Sequence, residues 1–402
     1  MKMTWTRVAG DSYTGPEINA VLSFMRESYE RRIRAALLTE TTMDDEKGTL
    51  LVAGATGVAA QELIRIVERT PGWTAYGLCR NPPAGITGQT RYLRADMLDP
   101  DSCREAVRGL EITHIVYAAR AAHSLYTSML PGAKVGIEKV GPNLDMLRNI
   151  VTACQNPSLC HVHAVQGTKW YGLHIGPFPT PAREEDPGHV PPNYYFDQRK
   201  FLVEASARHG WKWSASLPGV INGRNVGGGP NLLSTIGVYA SICRKLGRPL
   251  DFPGKPGAYT ALMEITDAAH LAESIFWMCG SPAAGNQAFN VVNGDLFRWQ
   301  AVWPKIAAYF DMPAGTVRYM PLVQWMSDKA DVWNEIVEEQ GLRPSPIERV
   351  ASWGFADFVF SYDYDVISSM TKIRRAGFHP IVDTEEMIFS QLGHYRAEKL
   401  IP

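Results

Sequence analysis

The sequence predicts an α/β chain, a doubly wound parallel sheet followed by a smaller C-terminal lobe. Three observations carry this. Short apolar runs alternate with helical stretches between Thr49 and Leu217. A glycine-rich turn joins the first run to the first helix. After about residue 221 the alternation fades into sequence richer in Gly, Pro and aromatic residues. Strands alternating with helices imply parallel pairing, because each return of the chain needs a covering crossover.

Residues 1–46 are expected to be a peripheral N-terminal extension. Within it, Ile18, Val21, Leu22, Met25, Tyr29 and Ile33 recur at helical spacing between Pro16 and Leu38. Thr49–Gly54 reads as a buried strand, Val58–Arg69 as a helix and Thr74–Leu78 as a second strand. Strands at Arg91–Arg94, Ile112–Ala118, His161–Val165 and Lys212–Leu217 follow, with helices at Asp101–Arg108 and Asn143–Ala153. Residues 47–220 are therefore assigned to the sheet domain. Residues 221–402 are assigned mainly to a substrate-binding lobe, with helices over Gly228–Leu246 and Trp325–Gln340 and with 288–293 returning to the sheet.

The composition narrows the function. The 402 residues are 45% hydrophobic and 20% charged, with a formal net charge of −1. That charge gives no electrostatic reason to bind nucleic acid or an anionic membrane, so a small molecule is the expected partner. The six cysteines, Cys79, Cys103, Cys154, Cys160, Cys243 and Cys279, show neither CxxC nor zinc-type spacing. Without a secretory apolar segment before them, a reducing cytoplasm is expected. No stretch approaches the roughly 18 uninterrupted apolar residues of a membrane span. His161, His163 and His174 lack a partner at ligand spacing, so no metal site is expected. Monomer and homodimer are both compatible with the chain.

The first strand runs into Gly54-Ala-Thr-Gly57-Val-Ala-Ala60 and then a helix. This is a Gly-x-x-Gly-x-x-Ala dinucleotide loop of Rossmann type. Gly54 allows the turn, Gly57 admits the pyrophosphate and Ala60 lets helix and strand approach, with Thr56 and Val58 completing the cradle. The second strand ends Tyr76-Gly-Leu-Cys-Arg80-Asn81, with no acid to accept a ribose 2′-hydroxyl. Arg80 instead suits a 2′-phosphate, which predicts NADPH/NADP+. Asp96 is placed for the adenine or for a turn; Met97 and Ala118, at later strand ends, join the cofactor set.

An ordinary short-chain dehydrogenase pairs a Ser or Thr with Tyr-x-x-x-Lys. Here Tyr195 is followed four residues later by Arg199, and Lys200 follows Phe196 at that spacing, so the pair is broken. A cation is instead available in Gln166-Gly-Thr-Lys169-Trp-Tyr-Gly172, after the fifth strand. This arrangement resembles the progesterone 5β-reductase/iridoid synthase family. The likeness extends through Ile175-Gly-Pro-Phe178, Val238–Arg244, Thr266-Asp-Ala, Ala288–Asp295, Trp333–Val337 and the terminal Lys399-Leu-Ile-Pro402. A bacterial or fungal-type member is expected.

The resemblance implies NADPH-dependent reduction of the C=C bond of an enone or enal, with a steroid-, terpenoid- or small enone-like substrate. Tyr195 and Lys169 would be catalytic, hydride would reach the β-carbon, and the phenol would donate to the enolate oxygen. It further implies Pro218, Val220 and Ile221 beside the nicotinamide, and Phe178 and Phe355 as apolar pocket walls. Arg120, which replaces an aromatic residue of the plant members, would face an acidic substrate group or solvent. Asn193-Tyr-Tyr-Phe196 departs from the plant Asn-Phe-Tyr-Tyr, and Leu217 and Val220 replace an Arg and an Asn. Carbonyl reduction by the same cofactor and a non-catalytic NADPH sensor stand as alternatives. A sugar-nucleotide epimerase would require Tyr-x-x-x-Lys, which Arg199 breaks.

Overall fold

The computed structural model describes residues 47–83, 88–121, 140–189, 191–224 and 231–402. The expected helix over 16–38 lies outside them. Among the described residues there are eleven strands in chain order: β1 (Gly48–Ala53), β2 (Trp73–Cys79), β3 (Arg91–Arg94), β4 (His114–Tyr117), β5 (His161–Val165), β6 (Lys212–Pro218), β7 (Val220–Asn222), β8 (Leu250–Phe252), β9 (Ile265–Asp267), β10 (Gln287–Val291) and β11 (Ala314–Val317). Seven make one sheet in the order β3-β2-β1-β4-β5-β6-β10, and each pairing is parallel.

The two faces of β1 show why the sheet is doubly covered. Side chains alternate along a strand, and both sets are apolar here. Leu50 and Val52 join a core with Leu63 and Ile64 of α1 (Val58–Val67) and with Leu271 and Ile275 of a helix at Ala268–Gly280. Leu51 and Ala53 face Leu147 and Ile150 of a helix at Val140–Ala153 and Leu202 of another at Tyr194–His209. Complete burial of a Leu or Ile contributes about 1.5–3 kcal/mol. A strand apolar on both sides therefore has its lowest free energy between two helical layers.

A separate apolar cluster gathers most of the buried residues after Val220, together with Tyr171, Leu173 and Phe178. Its centre is aromatic: Phe252, Trp299, Trp303 and Phe360 meet edge-on or tilted, with ring centroids 5.1–6.3 Å apart. The helix Leu232–Lys245 is buried along Leu232–Cys243, as its nearly all-round apolar surface requires. It begins at Asn231, whose Oδ1 accepts from the Ser234 N–H at 3.1 Å. The chain terminus closes over it, with Ile401 packed on Gly237.

The single helix expected over Trp325–Gln340 is instead two, Leu322–Trp325 and Ala330–Glu339. The Ser327 hydroxyl donates to the Gln324 carbonyl at 2.7 Å, and such a local side-chain bond competes with helix continuation. Buried Met326 anchors the turn between them.

On the helix Ala268–Gly280, burial pushes the Glu273 carboxyl up to about 7 from 4.5, and the like charges of Asp267 and Glu62 add to this. A raised carboxyl stabilises the fold fully only below its unfolded pKa, and that contribution is lost as pH rises through the folded value. Glu273→Gln is therefore expected to stabilise the protein at pH 8 by about 1–2 kcal/mol, discounted for the group's partial solvent access. Near pH 5 it should change little. Urea unfolding at the two pH values checks this, and an equal effect at both would reject the linkage.

Candidate active site

Parallel strands end on the same side, so their C-terminal ends form one rim. Gly54 follows β1, Arg80 follows β2, Asp96 follows β3, Ala118–Arg120 follow β4, Gln166–Lys169 follow β5, and Pro218 ends β6. Strand order reverses between β1 and β4, which opens a crevice where ligands of such sheets bind.

The glycine loop is shaped at that crevice. Gly54 has φ +88°, and a Cβ there would lie 2.8 Å from the Ala119 nitrogen and 2.9 Å from the Ala118 carbonyl oxygen. Gly57 is the N-cap of α1 with ordinary φ −68°, and no side chain caps that end. A Cβ at Gly57 would meet only the Gly54 oxygen at 3.2 Å and the Ala60 Cβ at 3.9 Å. Within the fold, a side chain at 57 is opposed closely only by the Gly54 carbonyl oxygen. These residues fit a pyrophosphate, whose charge the helix N-terminus favours. Thr56 and Val58 flank the same turn, and the Ala118 N–H donates to the Ala53 carbonyl at 2.8 Å.

At the ends of β2 and β3 a groove of about 560 Å³ is lined by Arg80, Asn81, Arg94, Ala95, Asp96 and Ser102. Asp96 does two things here. It faces the groove, and its Oδ1 accepts from the Leu98 N–H at 3.0 Å to make the local turn. Met97 is different, since its side chain is buried in the core and its carbonyl accepts from Asn149 Nδ2 at 2.9 Å.

Tyr195 lies in the first turn of the helix Tyr194–His209 and is 9% exposed. Its hydroxyl reaches the β5 loop, because a Cβ at Gly167 would lie 3.4 Å from that oxygen and 3.4 Å from the Pro218 carbonyl. Lys169 is half-buried in the same loop, within a short 3-10 turn at Thr168–Tyr171. Asn193, fully buried, joins the two segments. Its Oδ1 accepts from the Tyr195 N–H at 3.0 Å, and its Nδ2 donates to the Lys169 carbonyl at 3.0 Å. The same amide reaches His189 Nε2 at 3.0 Å, which makes that ring nitrogen the acceptor. Gln166 adds a second tie, donating from Nε2 to the Tyr195 carbonyl at 3.0 Å.

Arg199 takes no part in the crevice. It is half-buried, donates from Nε to Gln166 Oε1 at 3.1 Å, and stacks over Trp170 at 4.3 Å and Trp213 at 5.4 Å. Burial lowers its pKa to about 10, so it stays charged near neutrality. His163 beside it is depressed to about 3 by burial and then by that charge, and is held by Ser214 and Ser216. His161 is likewise lowered by burial and bonded to Ser214. Among the described residues no group of three metal-ligating side chains is present.

The remaining positions divide. Phe178 packs in the lobe core, with its ring centroid 6.2 Å from that of Tyr171, and Phe355 is a partly buried member of the same cluster. Val220 is buried and Ile221 half-buried within β7, and Arg120 is half-buried three residues after the end of β4. Sequence patterning assigns no role to Asn193, Gln166, His189 or Arg94, all of which border the site. An Asn immediately before a helical run is an N-cap signal, and that signal marks Asn193.

A dinucleotide crevice with a phenol and a lysine on its rim defines an oxidoreductase of the short-chain dehydrogenase/reductase type. Residues 119–402 match the PRISE-like Rossmann-fold domain, and the chain belongs to that family. It is 32% identical over 381 residues to the (S)-8-oxocitronellyl enol synthase CYC2 of Camptotheca acuminata, covering 89% of this chain and 94% of the relative. It is 30% identical to the 3-oxo-Delta(4,5)-steroid 5-beta-reductase of Arabidopsis thaliana, covering 88% and 92%. Among solved structures, a UDP-glucose 4-epimerase of Thermotoga maritima superposes with a TM-score of 0.62 at 12% identity, over 87% of this chain and 99% of that one. At that identity the likeness concerns the fold alone. The relatives named are plant proteins and lend no support to a bacterial or fungal-type member.

Proposed function

We propose that this protein reduces the C=C bond of an α,β-unsaturated ketone or aldehyde at the expense of NADPH. The observation that carries the reading is the joint placement of Tyr195 and Lys169. Their backbones are bridged by one buried asparagine, and the phenol reaches the Gly167–Pro218 edge of the crevice. Similarity to an enol synthase and a steroid 5-beta-reductase supports the same chemistry.

A dinucleotide held at Gly54, Gly57 and Arg80 would supply hydride to the β-carbon of the acceptor. The protein's part is to favour the negative charge that develops on the carbonyl oxygen as that bond forms. Tyr195 donates a hydrogen bond to this oxygen, and Lys169 places a positive charge beside it. Tyr195 is nearly buried, and preorganised donors of this kind act most strongly where water is excluded. The α-carbon then takes a proton from solvent. Arg199, turned into the protein, does not replace the missing lysine of the ordinary pair. Phe178, Phe355 and Arg120 are proposed to border the acceptor, whose skeleton is small and apolar. Residues 47–220 would hold the dinucleotide, and 221–402 would supply most of the acceptor side.

A cytoplasmic setting is part of the proposal and draws on the six free cysteines, five of them buried. Among the described residues no helix is long and apolar enough to cross a membrane. Association into a homodimer would be read from sedimentation.

The test follows NADPH oxidation with progesterone, an oxidised monoterpene dialdehyde and small cyclic enones, with products identified by mass spectrometry. A saturated carbonyl compound is expected. An allylic alcohol would move the assignment to carbonyl reduction, and NADPH binding without turnover of any acceptor would favour a sensor.

A further inference from the structure

The groove at the ends of β2 and β3 holds two arginines where the motif for cofactor choice names one. β2 pairs with β3 so that Cys79 stands opposite Arg94. Arg80, the next residue after Cys79, therefore leaves the sheet one position from Arg94 on the adjacent strand. Neighbouring strands are about 4.8 Å apart. The two side chains consequently start close together, and both line the same groove. Both residues are exposed, and among the described residues neither is paired with a carboxylate. Asp96, the groove's one acid, has an oxygen engaged by the Leu98 N–H. Two like charges side by side repel, and a dianion between them removes that repulsion.

We propose that Arg94 is a second determinant of cofactor choice, acting with Arg80 on the 2′-phosphate of the adenosine ribose. A phosphate presents several acceptor oxygens, and two planar guanidinium groups can engage it by charge-assisted bonds from two directions. Asn81 and Ser102 border the groove with polar hydrogens of their own. The Ser102 Oγ already accepts from the Asp96 N–H at 3.1 Å, which leaves its own proton to donate. In a cofactor without the phosphate, Arg94 has nothing to hold. Its removal should therefore act on NADPH and leave NADH untouched.

This inference rests on the NADPH reading, and the test separates the two. Tryptophan fluorescence titrations would measure the affinity of the full-length protein for NADPH, NADH, 2′,5′-ADP and 5′-AMP. The proteins are the wild type, Arg94→Gln, Arg94→Lys and Arg80→Gln. Arg94→Gln is expected to weaken NADPH and 2′,5′-ADP by about 10- to 100-fold, the range for loss of a charge-assisted bond. NADH and 5′-AMP should bind as in wild type, which also reports an intact fold. Arg94→Lys should fall between, since it keeps the charge and loses the fork. Raising the salt concentration should weaken NADPH less in Arg94→Gln than in wild type. If Arg94→Gln keeps NADPH and 2′,5′-ADP affinity within about twofold while Arg80→Gln loses it, Arg94 is a solvated surface cation and the inference fails alone. Equal wild-type affinity for NADH and NADPH would overturn both readings. Equal losses for NADH and NADPH in both Arg94 variants would mark a structural role and reject the proposal.

Discussion

Tyr195→Phe should lower kcat for enone reduction by about two to three orders of magnitude and leave NADPH affinity within about twofold. The ring stays in place, because its surroundings hold it by the backbone. Asn193 caps the Tyr195 N–H and Gln166 binds its carbonyl, and neither contact involves the phenol oxygen. The variant therefore removes the phenol donor and keeps both backbone ties. Lys169→Met should cost about one to two orders for the same reason, since Asn193 grips the Lys169 carbonyl rather than its side chain. The double variant should lose less than the product of the two, because both groups serve one oxygen. Steady-state kinetics beside NADPH titration check these expectations. Undiminished turnover in both single variants would remove the pair from the mechanism while leaving the fold and family as they are.

Gly54→Val should have the larger effect on the molecule itself, and Gly57→Ala the more selective one. At Gly54 a β-branched residue would have to adopt φ near +88°, a region it avoids. Its Cβ would also press on backbone at Ala118 and Ala119, which cannot rotate away as a side chain can. The left-handed conformation alone costs roughly 1–2 kcal/mol, and the overlap must force β1 and β4 apart. A loss of more than about 3 kcal/mol is expected, with dinucleotide binding abolished. At Gly57 the backbone is ordinary and the notional Cβ touches only one oxygen and one methyl group. Gly57→Ala should therefore fold with near wild-type stability and still lose NADPH affinity by about tenfold or more, because its methyl group enters the phosphate cradle. Thermal unfolding and fluorescence titration of the two variants make the contrast. A Gly57→Ala protein that binds normally would mean that the pyrophosphate does not approach at that point.

Much of the site is legible in the amino-acid sequence because its signals are local. Gly54 and Gly57 stand at fixed offsets from a strand and a helix, and Arg80 follows the second strand directly. Lys169 and Tyr195 stand out through the motifs that carry the family resemblance. What periodicity cannot supply is the connection between their segments. Asn193 reads in the chain as a polar residue before a helix, and only the fold reveals that its amide spans from Tyr195 to Lys169. Arg199 shows the converse. Its place four residues after Tyr195 invites comparison with the ordinary lysine, yet its side chain lies against Trp170 and Trp213. Helix periodicity places Tyr195 and Arg199 on one side of their helix but does not say what covers that side. The single helix expected over Trp325–Gln340 breaks for a related reason, since one serine hydroxyl can outcompete a marginal turn.

The amino-acid sequence by itself determined the class of the fold and the location of the dinucleotide loop. Apolar runs of strand length and a glycine that must take positive φ are properties of consecutive residues, and they act over one or two turns of chain. The register of the sheet, the pairing of Cys79 with Arg94 and the packing of Ile401 on Gly237 were decided by tertiary structure. Each joins residues far apart in the chain through burial or a buried hydrogen bond. Such contacts have no local period, because their free energy exists only once both surfaces have left water.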